Sequence, residues 1–185
     1  MKTEIRSAWI FVNNYEASNT TASITAKKTL EGRALKDGEF SFKLTAKDNA
    51  PMPEGAENGS KTVTNNDKGA IDFGEITYNT PGTYEYTISE IKGDVSEVTY
   101  DSNIKNVTVT VADKGDGTMT ANVAGAGDAA TFTNMYKAAA AKADITAKKV
   151  LEGRALKNGE FSFKLTAKDN APMPEGAEDD SIIVK

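Results

Sequence analysis

Apolar and polar residues alternate along short runs of this chain, and the alternation predicts β-strands. The runs are rich in Val, Ile, Thr, Tyr and Phe, which favour strands, and turn-forming residues interrupt them at intervals of about 8 to 12 residues. The residues predicted to share an apolar face are Phe40, Phe42 and Leu44; Ile71 and Phe73; Tyr84, Tyr86 and Ile88; Val107, Val109 and Val111; and Met119, Ala121 and Val123. No run has helical periodicity of useful length. The pattern therefore predicts an all-β sandwich of about seven to nine strands.

The connections carry their own signals. Asp37-Gly38, which is Asn158-Gly159 further along the chain, is a dipeptide that suits a type I′ hairpin turn. The two prolines within Asp48–Gly59 indicate a surface loop. The segment Ala138–Lys142 could form a helical turn, but it is too short to be stable alone and is typical of a linker.

An internal repeat determines the domain organisation. Ile24–Glu57 and Ile145–Glu178 each span 34 residues and differ at only two positions. A weaker match at the same offset of 121 residues aligns IFVNNYEA with TFTNMYKA. A period near this length is typical of tandem whole domains. The predicted segments are the last strand of a preceding repeat at 1–17, a complete sandwich domain at 18–137, a linker at 138–143 and the truncated start of a following repeat at 144–185.

Composition excludes several kinds of chemistry. The chain has 185 residues, a formal net charge of −5, no cysteine and no histidine, so disulfides, thiolate catalysis, common zinc sites and serine–histidine hydrolysis are excluded. The charge argues against nucleic acid as a partner, and no apolar run approaches the roughly 20 residues that span a bilayer.

Asn65–Gly69 and Asp113–Gly117 offer oxygen ligands that could bind calcium, but they lack EF-hand spacing and are typical of turns. We expect no metal, no cofactor and no membrane insertion.

Three polar residues interrupt the predicted buried faces. Lys28 lies on the apolar face of ITAKKTL, and Glu90 continues the inward set of TYEYTISE. Asn134 lies between Phe132 and Tyr136 on the inward face of ATFTNMY. A lone buried charge costs several kcal/mol or is neutralised. Three such groups on the first, a middle and the last strand therefore suggest that they meet.

Together these groups have a chemistry. Desolvation favours neutral forms, so Lys28 would become a nucleophilic amine and Glu90 a carboxylic acid that polarises the Asn134 amide. The product would be an amide bond between Lys28 and Asn134 with loss of ammonia. Closing a loop of roughly 100 residues in this way would stabilise the domain by about 4–5 kcal/mol.

Each residue also has a simpler interpretation. Lys28 could extend its amine to water from a strand end, and Glu90 could mark the place where the inward pattern ends. Asn134 could be a buried amide that satisfies backbone groups. Lys27 is the rival nucleophile, although strand parity directs it outward.

The motifs ITAKKTLEGRALKDGEFSFKL, TPGTYEYTISE and ATFTNMY, in this order, resemble the isopeptide-linkage domains of Gram-positive surface proteins. The nearest likeness is to the streptococcal major-pilin (FctA-like) family, and it covers about 23–136. The resemblance implies an immunoglobulin-like fold of the Cna B type and spontaneous bond formation. Its lysine, acid and asparagine fall on Lys28, Glu90 and Asn134. It also implies an extracellular, cell-wall-anchored setting, with an anchor and secretion signal that this chain does not include.

The favoured hypothesis is a structural stalk or shaft repeat of an adhesin or pilus, not an enzyme beyond one self-crosslinking turnover. Its partners would be neighbouring repeats of the same protein, with any host ligand bound by a tip domain outside this chain. The alternatives are a ligand-binding sandwich module of an adhesin and a fragment of a secreted enzyme. Asn13 and Lys149 would be the crosslinking residues of neighbouring repeats. Each lacks an accompanying glutamate, so we expect neither to crosslink within this chain.

Overall fold

A computed structural model describes Trp9 and residues 11–185. The chain divides into two compact units, residues 1–140 and residues 141–185. The strands of the first unit are β1 (Thr20–Glu31), β2 (Ser41–Ala46), β3 (Ser60–Thr64), β4 (Ala70–Tyr78), β5 (Gly82–Ile91), β6 (Val98–Thr99), β7 (Ile104–Asp113), β8 (Met119–Ala124) and β9 (Gly127–Tyr136). The second unit has β10 (Phe163–Thr166) and β11 (Ser181–Val184). In the described part of the chain, no helix is long and apolar enough to cross a bilayer.

The nine strands described in the first unit form two sheets, as the alternating pattern predicted. One sheet has the order β4-β1-β9-β6 and the other the order β3-β2-β5-β7-β8. Residues from both sheets enter one hydrophobic core, where the rings of Phe42 and Phe132 lie 5.3 Å apart across the sandwich. The first and last long strands, β1 and β9, are parallel neighbours within one sheet. This all-β sandwich places the first and last long strands of the domain side by side and in the same direction.

The predicted apolar faces line this core. All the residues assigned to them are buried or partly buried, and Phe42, Leu44, Tyr86, Ile88 and Val107 are fully shielded from solvent. The hydroxyls of Tyr78 and Tyr86 are 3.0 Å apart, and Tyr86 also donates to the carbonyl of Pro51 at 2.7 Å. Buried phenol hydroxyls need such partners because an unpaired polar group in the core is costly.

Strand β4 changes phase in its middle. Ile71 and Phe73 face the core, and so do Ile76 and Tyr78, although strict alternation from Phe73 would turn the later pair outward. Gly74 lies at the change with φ of 89°, and the register between β1 and β4 shifts there. This bulge lets both halves of β4 bury their apolar residues.

The prediction of a hairpin turn at Asp37-Gly38 is wrong. β1 and β2, which flank it, belong to opposite sheets and are not paired with each other. A type I′ turn requires positive φ at both central residues, whereas Gly38 has φ of 68° and Asp37 is not in this region. The same holds for Asn158-Gly159, where only the glycine has positive φ. The helical turn considered for residues 138–142 is also absent, since these residues have no regular secondary structure.

Residues 11–19 reach β1 without regular secondary structure and contact the turn between β7 and β8. The Tyr15 hydroxyl donates to Asp113 at 2.8 Å and accepts from the Gly117 N–H at 2.9 Å. The N–H of Ser18 donates to the Gly117 carbonyl at 2.9 Å. The strand predicted for residues 1–17 falls partly on residues 1–8 and 10, which lie outside the described residues.

Candidate crosslinking site

Lys28 and Asn134 lie on adjacent parallel strands of one sheet. In the register of β1 with β9, Lys28 is opposite Phe132 and Leu30 is opposite Asn134. Alternation directs both polar side chains into the sandwich, where Lys28 is 1% exposed and Asn134 is fully buried. The structure therefore brings together the first-strand lysine and the last-strand asparagine that the sequence singled out.

Glu90 reaches the same place from the opposite sheet. It lies near the end of β5, where it is opposite Phe42 of β2. Lys28 Nζ donates to both carboxylate oxygens of Glu90, to Oε1 at 3.0 Å and to Oε2 at 2.8 Å. Asn134 Nδ2 donates to Oε1 at 2.6 Å. Glu90 thus joins the amine and the amide within one buried hydrogen-bond chain, and its own side chain is inaccessible to solvent.

The surroundings of the amine are apolar apart from this carboxylate. Lys28 Nζ lies 4.6 Å from the ring centroid of Phe40 and 5.8 Å from that of Phe42. Burial lowers the pKa of Lys28 below its usual value, while the hydrogen bond and charge of Glu90 oppose the shift. Moving one proton from Nζ to Glu90 would turn the ion pair into a neutral amine and a neutral acid. Burial favours that neutral pair because it removes two charges from a region of low dielectric constant.

Asn134 is held through both ends of its amide. Its Nδ2 donates to Glu90, and its Oδ1 accepts the backbone N–H of Asp101 at 2.8 Å. Asp101 lies just beyond β6, which pairs with β9 beside Asn134. Sequence reasoning missed Asp101. Asp101 forms an Asx turn, in which its carboxylate accepts the N–H of Asn103, two residues further along the chain, at 2.9 Å. The preference of Asp for such turns was the sequence signal that marked this position.

The simpler interpretations of the three residues do not describe this geometry. Lys28 does not reach water, since its side chain is inaccessible, and Glu90 remains within β5 with its carboxylate in the core. Lys27 points outward as parity predicted; its side chain is 49% exposed and forms an ion pair with Asp128 at 3.0 Å. Of these two adjacent lysines, Lys28 is the one whose amine shares the Glu90 carboxylate with the Asn134 amide.

The two residues assigned to neighbouring repeats are in different environments. Asn13 is exposed in the irregular segment before β1. Lys149 is also exposed, with its Nζ 4.9 Å from the ring centroid of Phe161, the counterpart of Phe40 in the repeat. No hydrogen bond or ion pair joins either side chain to a carboxylate among the described residues. That neither crosslinks within this chain stays a prediction.

The two segments considered for calcium are turns. Asn66 Oδ1 accepts the N–H groups of Lys68 and Ala70, and Asp113 Oδ1 accepts that of Gly115. Across Trp9 and residues 11–185, no three or more His, Cys, Asp or Glu residues are grouped so that they could hold a metal ion.

Comparison with protein families identifies the domain. Residues 24–137 match the family described as FctA, the Spy0128-like isopeptide containing domain. The chain belongs to this family. The match begins at the start of the repeat and ends one residue after Tyr136, so it contains Lys28, Glu90 and Asn134. Membership of the FctA family agrees with the resemblance seen in the sequence motifs.

Solved structures of streptococcal pilins are similar to this chain. A crystal structure of the major pilin from Streptococcus pyogenes is 24% identical with a TM-score of 0.38, and the alignment covers 67% of this chain and 51% of the pilin. Another major pilin of that species is 18% identical with a TM-score of 0.41, and 65% and 54% of the two chains are covered. This chain thus spans about half the length of these pilins. The comparison with curated proteins gave no match.

Proposed function

We propose that residues 18–137 are a shaft repeat of an extracellular pilus or adhesin, crosslinked by its own amide bond between Lys28 and Asn134. The observation that carries the proposal is the buried hydrogen-bond chain from Lys28 through Glu90 to Asn134. Membership of an isopeptide-containing family supports it. Residues 1–17 and 144–185 are assigned to neighbouring repeats, with a linker at 138–143, because the sequence repeats at an offset of 121 residues.

The reaction begins with transfer of a proton from Lys28 Nζ to Glu90. The neutral amine then attacks Asn134 Cγ, so that an N–C bond forms and the carbonyl π electrons move to Oδ1. Glu90 delivers this proton to Nδ2, which leaves as ammonia when the C=O bond re-forms, and then accepts a second proton from the attacking nitrogen, so that it ends protonated. Folding itself supplies proximity, because the three groups meet only when both sheets have closed.

The position of the bond suits a load-bearing domain. β1 and β9 are the first and last long strands, and they are parallel neighbours. A covalent bond between them would carry tension from one strand to the other without unravelling the strands between. Since the chain has no cysteine, this role cannot be filled by a disulfide. The partners implied are neighbouring repeats or pilin subunits at the surface of a Gram-positive bacterium.

The decisive experiment is the intact mass of the full chain under denaturing conditions. The wild-type chain should be lighter than its sequence by one ammonia, and digestion should yield a branched peptide joining Lys28 to Asn134. Lys28→Met should restore the full sequence mass for that substitution. Lys27→Met is the matched control, because Lys27 is the adjacent but outward-facing lysine, and it should still lose ammonia. An unmodified wild-type mass would refute the proposal.

A further inference from the structure

The amide oxygen of Asn134 faces a backbone donor. Within the described residues, the group that donates to Oδ1 is the peptide N–H of Asp101, at 2.8 Å. Asp101 follows Tyr100, whose ring packs edge-on against Phe40 with centroids 5.8 Å apart, and Phe40 in turn lies beside the Lys28 amine. The donor is therefore part of the wall that encloses the three reacting groups.

The side chain of Asp101 fixes the position of its own N–H. One carboxylate oxygen accepts the N–H of Thr133, the residue before Asn134, at 3.1 Å. The other accepts the N–H and the side-chain Nδ2 of Asn103 at 2.9 and 2.7 Å. Burial would raise the pKa of the Asp101 carboxyl, but these hydrogen bonds outweigh it and hold the pKa below its usual value. The carboxylate thus links the segment after β6 to β9 at the reacting residue.

We propose that the peptide N–H of Asp101 is the oxyanion donor of the crosslinking reaction, and that the Asp101 carboxylate is the positioning group for it. When Lys28 attacks, negative charge develops on Asn134 Oδ1. A fixed N–H already directed at this oxygen stabilises the charge without reorganisation, and it does so most strongly where water is excluded. The inference rests on the proposed function, since it assigns a role within the same reaction.

The division of labour among the groups follows from the atoms they touch. Glu90 contacts the attacking nitrogen and the departing nitrogen but not the carbonyl oxygen, so it moves protons. Asp101 contacts the carbonyl oxygen through its N–H and exchanges no proton in the reaction. Because a backbone N–H is present in every residue type except proline, the side chain matters here only through the position it imposes.

The test is the rate at which newly made full chains lose ammonia, followed by intact mass during cell-free synthesis. Loss of an oxyanion donor typically slows a reaction by about 10²–10³-fold; Asp101→Ala leaves the N–H but frees it, so slowing of about 10-fold or more is expected. Asp101→Asn keeps an oxygen that can accept from Asn103, so it should recover part of the rate. Asp116→Ala is the matched control: its carboxylate makes the same kind of local turn, to the Thr118 N–H and hydroxyl, away from the site.

The expected result separates positioning from a general effect of charge. The charge of Asp101 raises the pKa of Lys28, so a purely electrostatic role predicts faster bond formation near neutral pH when the charge is removed. Slowing in Asp101→Ala with partial recovery in Asp101→Asn supports the inference, whereas acceleration or an unchanged rate in both overturns it. If Asp101→Ala does not give a native amide spectrum, Asp101→Asn decides alone. A rate of ammonia loss below that of the wild-type chain then supports the inference, and an equal or faster rate overturns it.

Failure of this inference is distinguishable from failure of the proposed function. A wild-type chain that never loses ammonia refutes the crosslink itself. Wild-type and Asp116→Ala chains that crosslink normally, together with Asp101 variants that crosslink at the same rate, refute only the oxyanion role.

Discussion

Lys28 Nζ lies 2.8 Å from Glu90 Oε2, and neither side chain is accessible to solvent. An ion pair in such a place is a weak source of stability, because desolvating both charges costs about as much as their attraction returns. Its value lies instead in the proton that the two groups can exchange. Nζ also donates to Glu90 Oε1, which accepts from Asn134 Nδ2 as well, so the carboxylate holds the amine beside the Asn134 amide. Substituting one residue of the pair should therefore affect both the crosslinking reaction and the stability of the domain.

Glu90→Gln should abolish the crosslink and leave the full sequence mass. Glutamine keeps the shape but cannot take the Lys28 proton, and it leaves the amine without a counter-charge. Removing one partner of a buried pair costs about 3–5 kcal/mol, and the lost crosslink forfeits a further contribution of about 4–5 kcal/mol. Chemical denaturation should show a correspondingly lower unfolding free energy.

The control for this variant is Glu85→Gln on the same strand. Glu85 is 53% exposed and pairs with Lys47 at 3.2 Å, so its removal should change stability by less than about 1 kcal/mol. It should leave the bond intact. Ammonia loss at the wild-type rate in Glu90→Gln would assign proton transfer to another group.

The stability of an uncrosslinked chain should depend on the Lys28 amine. In Asn134→Ala the bond cannot form and Lys28 still titrates. Folding lowers the pKa of Lys28 from 10.5, so between the two pKa values the unfolded chain binds more protons than the folded one. The unfolding free energy contributed by Lys28 should therefore be lowest below the folded pKa and should rise with pH through that window.

Subtracting the stability of a second variant removes the contribution of the buried tyrosines. Burial raises the pKa values of Tyr78 and Tyr86, so both tyrosines should reduce stability as pH rises above 10.0. The double variant Lys28→Met/Asn134→Ala shares that loss but has no amine at position 28. The difference between the two unfolding free energies should rise with pH. A difference that is flat up to pH 10.5 would show that folding leaves the Lys28 pKa unchanged.

Strand parity was enough to predict which polar groups enter the core. In β1, β5 and β9 successive side chains point to opposite faces of the sheet. The apolar residues two positions away were therefore enough to predict that Lys28, Glu90 and Asn134 point inward. Parity could not reveal that Lys28 and Asn134 lie in one sheet and Glu90 in the other. That pairing depends on long-range contacts, which local patterns do not encode.

The features that sequence reasoning missed act through the backbone. Asp101 contributes a peptide N–H, a group that every residue type except proline has, so its residue type gives no sign of this role. It also lies outside any alternating run. The phase change at Gly74 comes from one bulge in β4. At Asp37-Gly38 the dipeptide suited a hairpin, but the chain crosses between sheets there, and the wider topology decided the turn.

Asn65→Ala should destabilise the fold by about 2–3 kcal/mol, since buried backbone groups would lose their partners. Asn65 is 1% exposed; its Oδ1 accepts the Phe40 N–H at 2.8 Å and its Nδ2 donates to the carbonyls of Lys36 and Asn66 at 2.9 and 2.8 Å. Asn66→Ala is the control, because its exposed turn contacts can be replaced by water. Equal losses in urea denaturation of the two variants would contradict the structural role of Asn65. Calcium should change neither value, because these side chains bind backbone groups.

Gly69→Ala should be more harmful than Gly115→Ala, although both glycines adopt similar positive φ values of 83° and 77°. Each alanine pays about 1–2 kcal/mol for the left-handed backbone. At Gly69, however, the added Cβ would collide with the Lys28 carbonyl, whereas nothing lies within 4 Å of the position at Gly115. The Gly69 carbonyl also accepts the Lys28 N–H at 2.7 Å, so β1 cannot move away without losing that bond.

The collision should cost roughly 1–3 kcal/mol beyond the shared backbone term. It should also slow ammonia loss, because displacement of β1 at Lys28 separates the amine from the amide. Gly115→Ala should crosslink at the wild-type rate. Thermal unfolding and time-resolved intact mass, measured on both variants, give the two comparisons. If Gly69→Ala matched Gly115→Ala in both, the close approach of the Gly69 backbone would have no part in placing the nucleophile.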